Sequence, residues 1–189
     1  LTISGDQDVV VDPNTFAKNL IISNTAAVTF NNTLFAGNAD ASLMSVTAAG
    51  GDITLNGNTT YKTINFNNNA RTVHLGNNRT LTAGAINNGG TAVLTFDGIG
   101  TLTLVDTKTV NLSRINAGAN GVTVTLGEGT YTVTDIQMLH NGGTIKLGNN
   151  FILSGGFNVA GGNAGTVKFL GNATVNGVLG GAGNALGAV

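Results

Sequence analysis

Few side chains in this 189-residue chain could serve as acids, bases, nucleophiles or metal ligands. Asp106 and Glu128 are spaced so that a chain repeating at that interval would put two carboxylates on one face. Paired carboxylates are the usual machinery of glycoside chemistry. Against that, Glu128 sits in Gly127-Glu128-Gly129 and Asp106 adjoins an irregular segment, so both also read as turn residues. Asp6, Asp8 and Asp12 form the densest acidic patch, and a calcium site needs several oxygens on one loop. They flank Val9-Val10-Val11, however, which reads as a strand with polar ends, and the Gly-Gly-x-Gly-x-Asp calcium repeat is absent. His74 and His140 have no Cys to assist them and are not at ligand spacing. His140 precedes the turn Asn141-Gly142-Gly143. No Ser lies in a nucleophile elbow, and no Gly-rich loop carries the Lys-Ser/Thr of a phosphate cradle. The expectation is a chain without catalytic residues, metal ligands or a cofactor.

The elements that carry these residues repeat. Thr144-Ile145-Lys146-Leu147-Gly148-Asn149-Asn150 and Thr166-Val167-Lys168-Phe169-Leu170-Gly171-Asn172 share a pattern with Asp52-Ile53-Thr54-Leu55 and Thr72-Val73-His74-Leu75. Two apolar residues flank one polar residue, and Gly or Asn follows. The first apolar positions are Ile53, Val73, Leu94, Val124, Ile145 and Val167. They recur about every 21 residues, with one longer step from Leu94 to Val124. A second short strand starts eight or nine positions later, as in Val73 to Leu81 and Val124 to Val133, and a third follows at Ile86, Ile136, Val159 and Val178. Short strands returning at this period stack into a solenoid. Alternation turns Ile145 and Leu147 inward and Lys146 outward. His74 takes the same outward slot as Thr54, Thr95, Thr125, Lys146 and Lys168. The expected fold is all-β: a right-handed parallel β-helix of about eight to nine coils, its hand following from the crossover rule. Residues 1–189 read as one segment.

Composition agrees. Gly is 29 of 189 and Pro occurs once, while 41% of the chain is apolar, too much and too regular for a disordered Gly/Asn-rich chain. Gly and Asn accept the positive φ of tight corners, and stacked Asn can form amide ladders. Net charge is −1 and charged residues are 9%, which argues against electrostatic binding to nucleic acid or anionic lipid. Cys is absent, so there is no disulfide framework. No 18-residue apolar run exists to cross a membrane as a helix, so no direct membrane insertion is expected. The chain opens mid-strand at Leu1-Thr2-Ile3 and closes on Gly177-Val178-Leu179-Gly180-Gly181-Ala182-Gly183 without a polar cap. Both ends read as cut from a longer polypeptide, because solenoids need caps. Asn-x-Thr/Ser at Asn31, Asn58, Asn78, Asn111 and Asn172 reads as turn and ladder chemistry rather than glycan acceptors.

One irregularity stands out. The step from Leu94 to Val124 is about nine positions too long for the roughly 21-residue period. The excess falls at Val105, Asp106, Thr107, Lys108, Thr109, Val110, Asn111, Leu112, Ser113 and Arg114. Insertions in solenoids project from one face and often hold partners, which makes 105–114 a candidate partner-binding insertion. Val110 and Leu112 alternate well, so an additional strand segment that merely widens one coil competes with that reading.

The run Ala164-Gly165-Thr166-Val167-Lys168-Phe169-Leu170-Gly171-Asn172-Ala173-Thr174-Val175-Asn176-Gly177 resembles repeats of rickettsial surface cell antigens, the passenger regions of outer membrane proteins A and B. The likeness in style runs from about residue 18 to 180 and is specific at 142–180. It implies an autotransporter: a β-helical passenger exported through a C-terminal translocator barrel of the same polypeptide and displayed on the outer face of the bacterial outer membrane. It implies a virulence-associated surface antigen with a host-cell surface protein as partner, and adhesion and entry as function. It supplies no catalytic residues, and no part of a barrel is in this sequence. The step from Val28 to Ile53 exceeds one period, so the chain ahead of Gly51 departs from the clean repeat.

Three functions compete. The first is a stalk and adhesin segment working through extended outward faces. The second is a carbohydrate-active lyase or glycosidase on the same fold, which would want clustered acids, Arg and aromatics; aromatics are 5% and Trp is absent. The third is a self-associating surface-layer or filament protein joined through β-helix ends. The inward set is expected to be Ile53/Val73/Leu94/Val124/Ile145/Val167 and Leu55/Leu75/Phe96/Leu126/Leu147/Phe169. On that pattern Phe96→Ala costs roughly 3–5 kcal/mol. An outward Thr95→Ala stays within about 0.5 kcal/mol.

Overall fold

A computed structural model describes residues 1–35, 42–160 and 165–180, apart from the side chains at 35, 88 and 89. Part of the specific stretch 142–180, namely 161–164, and the end of the Gly177–Gly183 run, 181–183, lie outside the described residues. Within them the chain forms strands joined into one sheet in which every pairing is parallel. The sheet winds into a β-solenoid of about eight turns of roughly 21 residues.

Three faces line the interior, each built by the alternation of short strands. On the first, Val28, Ile53, Val73, Leu94, Ile115, Ile136 and Phe157 stack in register. Two positions on, Phe30, Leu55, Leu75, Phe96, Ala117, Met138 and Val159 do the same. The second face stacks Leu34, Thr59, Leu81, Leu102, Leu126, Leu147 and Phe169. The third stacks Leu20, Met44, Ile64, Ile86, Val110, Tyr131, Leu153 and Val175. Phe30, Phe96, Phe151, Phe157, Tyr61 and Tyr131 are the largest of the fully buried side chains.

This register corrects the expected ladders. Ile53, Val73 and Leu94 continue into Ile115, not Val124; Val124, Ile145 and Val167 stack over Gly100 on the second face. All six side chains are buried, so the inward reading holds while the neighbours differ. The long step is one coil, Leu94 to Ile115, plus the passage from one face to the next, Ile115 to Val124. All three faces carry the same apolar–polar–apolar signature, so periodicity cannot tell them apart.

The excess therefore shrinks. Ala83 and Ala85 pair with Leu104 and Thr109, so the whole of Val105–Lys108 lies opposite Gly84. This bulge is balanced in the preceding strand segment by shifts between Ile86 and Val93. Thr109–Asn111 and Arg114–Ala117 pair in register with the next coil. Asp106 and Lys108 hold φ of 54° and 51°, which turns the chain outward and back.

Two more expectations change. Phe169 is 37% exposed, although it stacks on the buried Leu147. Thr95 is buried at 6% rather than a free surface hydroxyl, and it accepts a hydrogen bond from Asn116 Nδ2 one coil on (3.3 Å). Corners are stitched by Asn. The side-chain carbonyls of Asn14, Asn58, Asn77 and Asn149 accept the backbone N–H of Thr33, Thr80, Ile99 and Asn172 in the following coil, at 2.9–3.1 Å. Asn31 spans two coils, donating to Asp12 Oδ1 (2.6 Å) and accepting from Asn56 Nδ2 (3.2 Å). At Gly155, φ is +144° and a Cβ would stand 2.0 Å from the Val133 carbonyl oxygen, so only glycine lets successive corners stack there.

Urea unfolding is expected to show Phe96→Ala less stable by about 3–5 kcal/mol. Thr95→Ala should cost about 1 kcal/mol, because it leaves the Asn116 amide short of a partner. Thr125→Ala, on an outward slot of the second face, should stay within about 0.5 kcal/mol.

Candidate functional site

The Asp106–Glu128 pair is not what the structure assembles. Asp106 is exposed in the bulge, and the Glu128 carboxylate is taken by Lys108 Nζ from the same bulge. Lys108 and then Asn150 hold the Glu128 carboxyl below its ordinary range, first by hydrogen bond and charge. Lys108, Glu128 and Asn150 thus form a polar seam over three coils. Arg114 Nε donates to Asp135 Oδ1 at 2.5 Å across the next rung. Within 105–114, only Asp106, Thr107 and Asn111 are exposed. The early acids cap strand ends: Asp8 Oδ1 accepts from Ala27 N–H (3.1 Å), and Asp12 accepts from Asn31. His140 is exposed at its turn.

His74 is outward and in the expected column, between Thr54 and Thr95. It is not isolated. Its Nδ1 faces both oxygens of Asp97 at 2.9 and 3.0 Å, and its Nε2 faces Asp52 Oδ2 at 3.4 Å. Asp52 lies one coil below and just before its strand; Asp97 lies one coil above and just after its strand. The ring therefore runs diagonally between them and ties three coils. A neutral imidazole has one N–H to offer, so only the imidazolium donates to both carboxylates. Sequence inspection missed this group, although Asp52 to His74 and His74 to Asp97 are each close to one coil in length.

Arg71 was also missed, and no spacing would have found it. It is 3% exposed, and its Nη1 and Nη2 donate to the carbonyls of Asn24 (2.8 Å) and Ala26 (3.3 Å), two coils away. Its Nε has no partner among the described residues. Burial pulls the guanidinium below its ordinary range, and the nearby Asp52 carboxylate opposes that pull. Beside Arg71 and Asp52 is a shallow depression of about 190 Å³. Elsewhere, the apolar void among Met44, Phe66, Leu94 and their neighbours holds about 10 Å³, room for no more than a water.

Among the described residues no three His, Asp or Glu side chains converge as metal ligands. No helix among them is long and apolar enough to cross a membrane. The ion pairs join one coil to the next, as the hydrogen-bonded Asn corners do. Their arrangement is that of rivets between successive coils. Comparison with protein-family models, with characterised proteins and with solved structures finds no match.

The two tyrosines offer a test of interior packing. Tyr131 donates to the Gly127 carbonyl and Tyr61 to the Ala17 carbonyl, each at 3.0 Å, and the Tyr131 ring lies 4.5 Å from that of Phe151. Burial pushes both phenols well above their ordinary range. The neutral form is favoured in the fold, so this stability is present below the unfolded value of about 10 and is lost as pH rises above it. Absorbance at about 295 nm should show both tyrosines ionising together with loss of the β-sheet circular dichroism signal. Ionisation near pH 10 with an intact signal would contradict the packing.

Proposed function

We propose that this chain is a surface-displayed rod, a stalk and adhesin segment of an autotransporter passenger, exported through a C-terminal barrel and presented to a host-cell surface protein outside a bacterial outer membrane. The observation that carries the reading is the parallel ladder that joins the described strands between Thr2 and Asn176, with so few charges on it. A fold of this kind lengthens by adding coils, each of which needs only its neighbour to form. It can therefore grow from one end as the chain emerges from a pore. The absence of Cys and the low charge suit a chain that must stay unfolded during export. Apart from His74, which stands between Thr54 and the buried Thr95, the outward column Thr29, Thr54, Asn116, Gln137 and Asn158 carries uncharged polar groups, suited to contact over area rather than in one cleft. The adhesive role rests on the resemblance of 142–180 to rickettsial surface antigens. The outward bulge Val105–Lys108, with Asp106 and Thr107 exposed, is the proposed contact point within 105–114.

Beads coated with the chain should attach to host cells above beads carrying an unrelated β-helix. Replacing Val105–Lys108 with one Gly, as at position 84 of the neighbouring coil, should lower attachment several-fold with the fold intact by circular dichroism. Equal attachment by the control beads would reduce the segment to a spacer. Undiminished attachment by the bulge variant would move the contact to the strand faces.

A further inference from the structure

We infer that the depression beside Asp52 and Arg71 binds one neutral sugar ring, the terminal unit of a glycan. The depression holds about 190 Å³ between Asp52, Arg71, Thr72 and Thr91, with the methyl groups of Ala70 and Val93 on its wall. That is below the roughly 300–1,000 Å³ of sites for drug-sized ligands, so it admits one small ring and no more. Its floor is backbone on backbone. Gly50 lies on Thr25 so closely that a Cβ would be 2.1 Å from the Thr25 carbonyl oxygen, and Gly50 puts no side chain into the space.

The polar groups around it are held but not used up. Asp52 gives Oδ2 to His74 Nε2 at 3.4 Å, and its Oδ1 has no partner among the described residues. The Thr72 hydroxyl is likewise unpaired among them. The Thr91 hydroxyl donates to the Asn68 carbonyl at 3.0 Å, which leaves its oxygen free to accept. Buried Arg71 is fixed by two carbonyls two coils away, so the wall it forms is rigid. Ligand sites combine a preformed wall with a small number of placed polar groups, and this corner has both.

Charge and chemistry select the ligand. Asp52 is the exposed charge of the corner, so an anion meets it as a like charge, and the buried Arg71 guanidinium beside it offsets part of its attraction for a cation. A neutral ring with vicinal hydroxyls meets neither penalty. One hydroxyl donates to Asp52 Oδ1, a charge-assisted bond and the strongest available there. Others pair with Thr72 and Thr91, while ring C–H groups lie on the methyls of Ala70 and Val93. Surface display is not required for this site, so sugar binding and cell attachment can fail separately.

Saturation-transfer-difference NMR on the intact chain, with the methyl glycosides of glucose, galactose and mannose as probes, tests the assignment. Transfer to the ring protons of at least one is expected. Asp52→Asn should weaken binding about tenfold, the loss of one charge-assisted hydrogen bond. Thr72→Val, which keeps the side-chain shape, should weaken it about fivefold, and Thr125→Ala on another face should leave it unchanged. Circular dichroism checks that each variant is folded. The assignment is overturned by no transfer from any of the three, by transfer undiminished in either Asp52→Asn or Thr72→Val, or by tighter binding of the methyl glucuronide than of the neutral sugar.

Discussion

Everything in this molecule depends on one constraint: each turn of chain must come back to within one hydrogen-bonded strand spacing of where it started, about 4.8 Å higher. Parallel pairing between successive coils then places like over like. Inward positions become columns of Val, Leu, Ile and Phe, and the interior is those columns packed against one another. A residue added to a coil cannot be absorbed inside without breaking the columns, so it must go out. The bulge at Val105–Lys108 follows that rule, and the two residues at positive φ within it make the exit and return.

The same constraint explains the polar chemistry. A stacked corner exposes backbone N–H groups that the strands do not satisfy, and an unpaired donor there is costly. Asparagine side chains one coil below accept several of them. Charged residues work on the same axis. Lys108 meets Glu128, Arg114 meets Asp135, and His74 meets Asp52 and Asp97, each between coils. With charge so sparse, these ionic groups act chiefly on neighbouring coils, and the outward strand positions are mostly uncharged polar residues broken by His74, Lys146 and Lys168. That is the physical basis of the proposed extended contact surface, and the Asp52–Arg71 corner is a separate, small depression on the same coils. Arg71 departs from the nearest-coil pattern: it reaches two coils back, and it also lines the depression.

The solenoid, its period and most of its inward residues were determined by the sequence alone, because a strand's alternation and the regular return of the motif are local signals that survive in one dimension. Ile53, Val73, Ile145 and Leu147 could be read inward from their own strands, and each is buried. Which column each joins was decided only in three dimensions. Three faces write the same apolar–polar–apolar signature, so a step of one coil plus one face looked like an insertion until pairing placed Leu94 over Ile115 and Val124 over Gly100. The candidate groups divide the same way. His74 was legible as outward, but its two carboxylates lie on a diagonal, one coil away and to either side of its strand, and a column-by-column reading passes them over. Thr95 was legible as outward too, yet the Asn116 amide covers it. Arg71 gave no local sign of burial, because its place is set by the carbonyls of Asn24 and Ala26, far earlier in the chain, which only the folded coil brings beneath it.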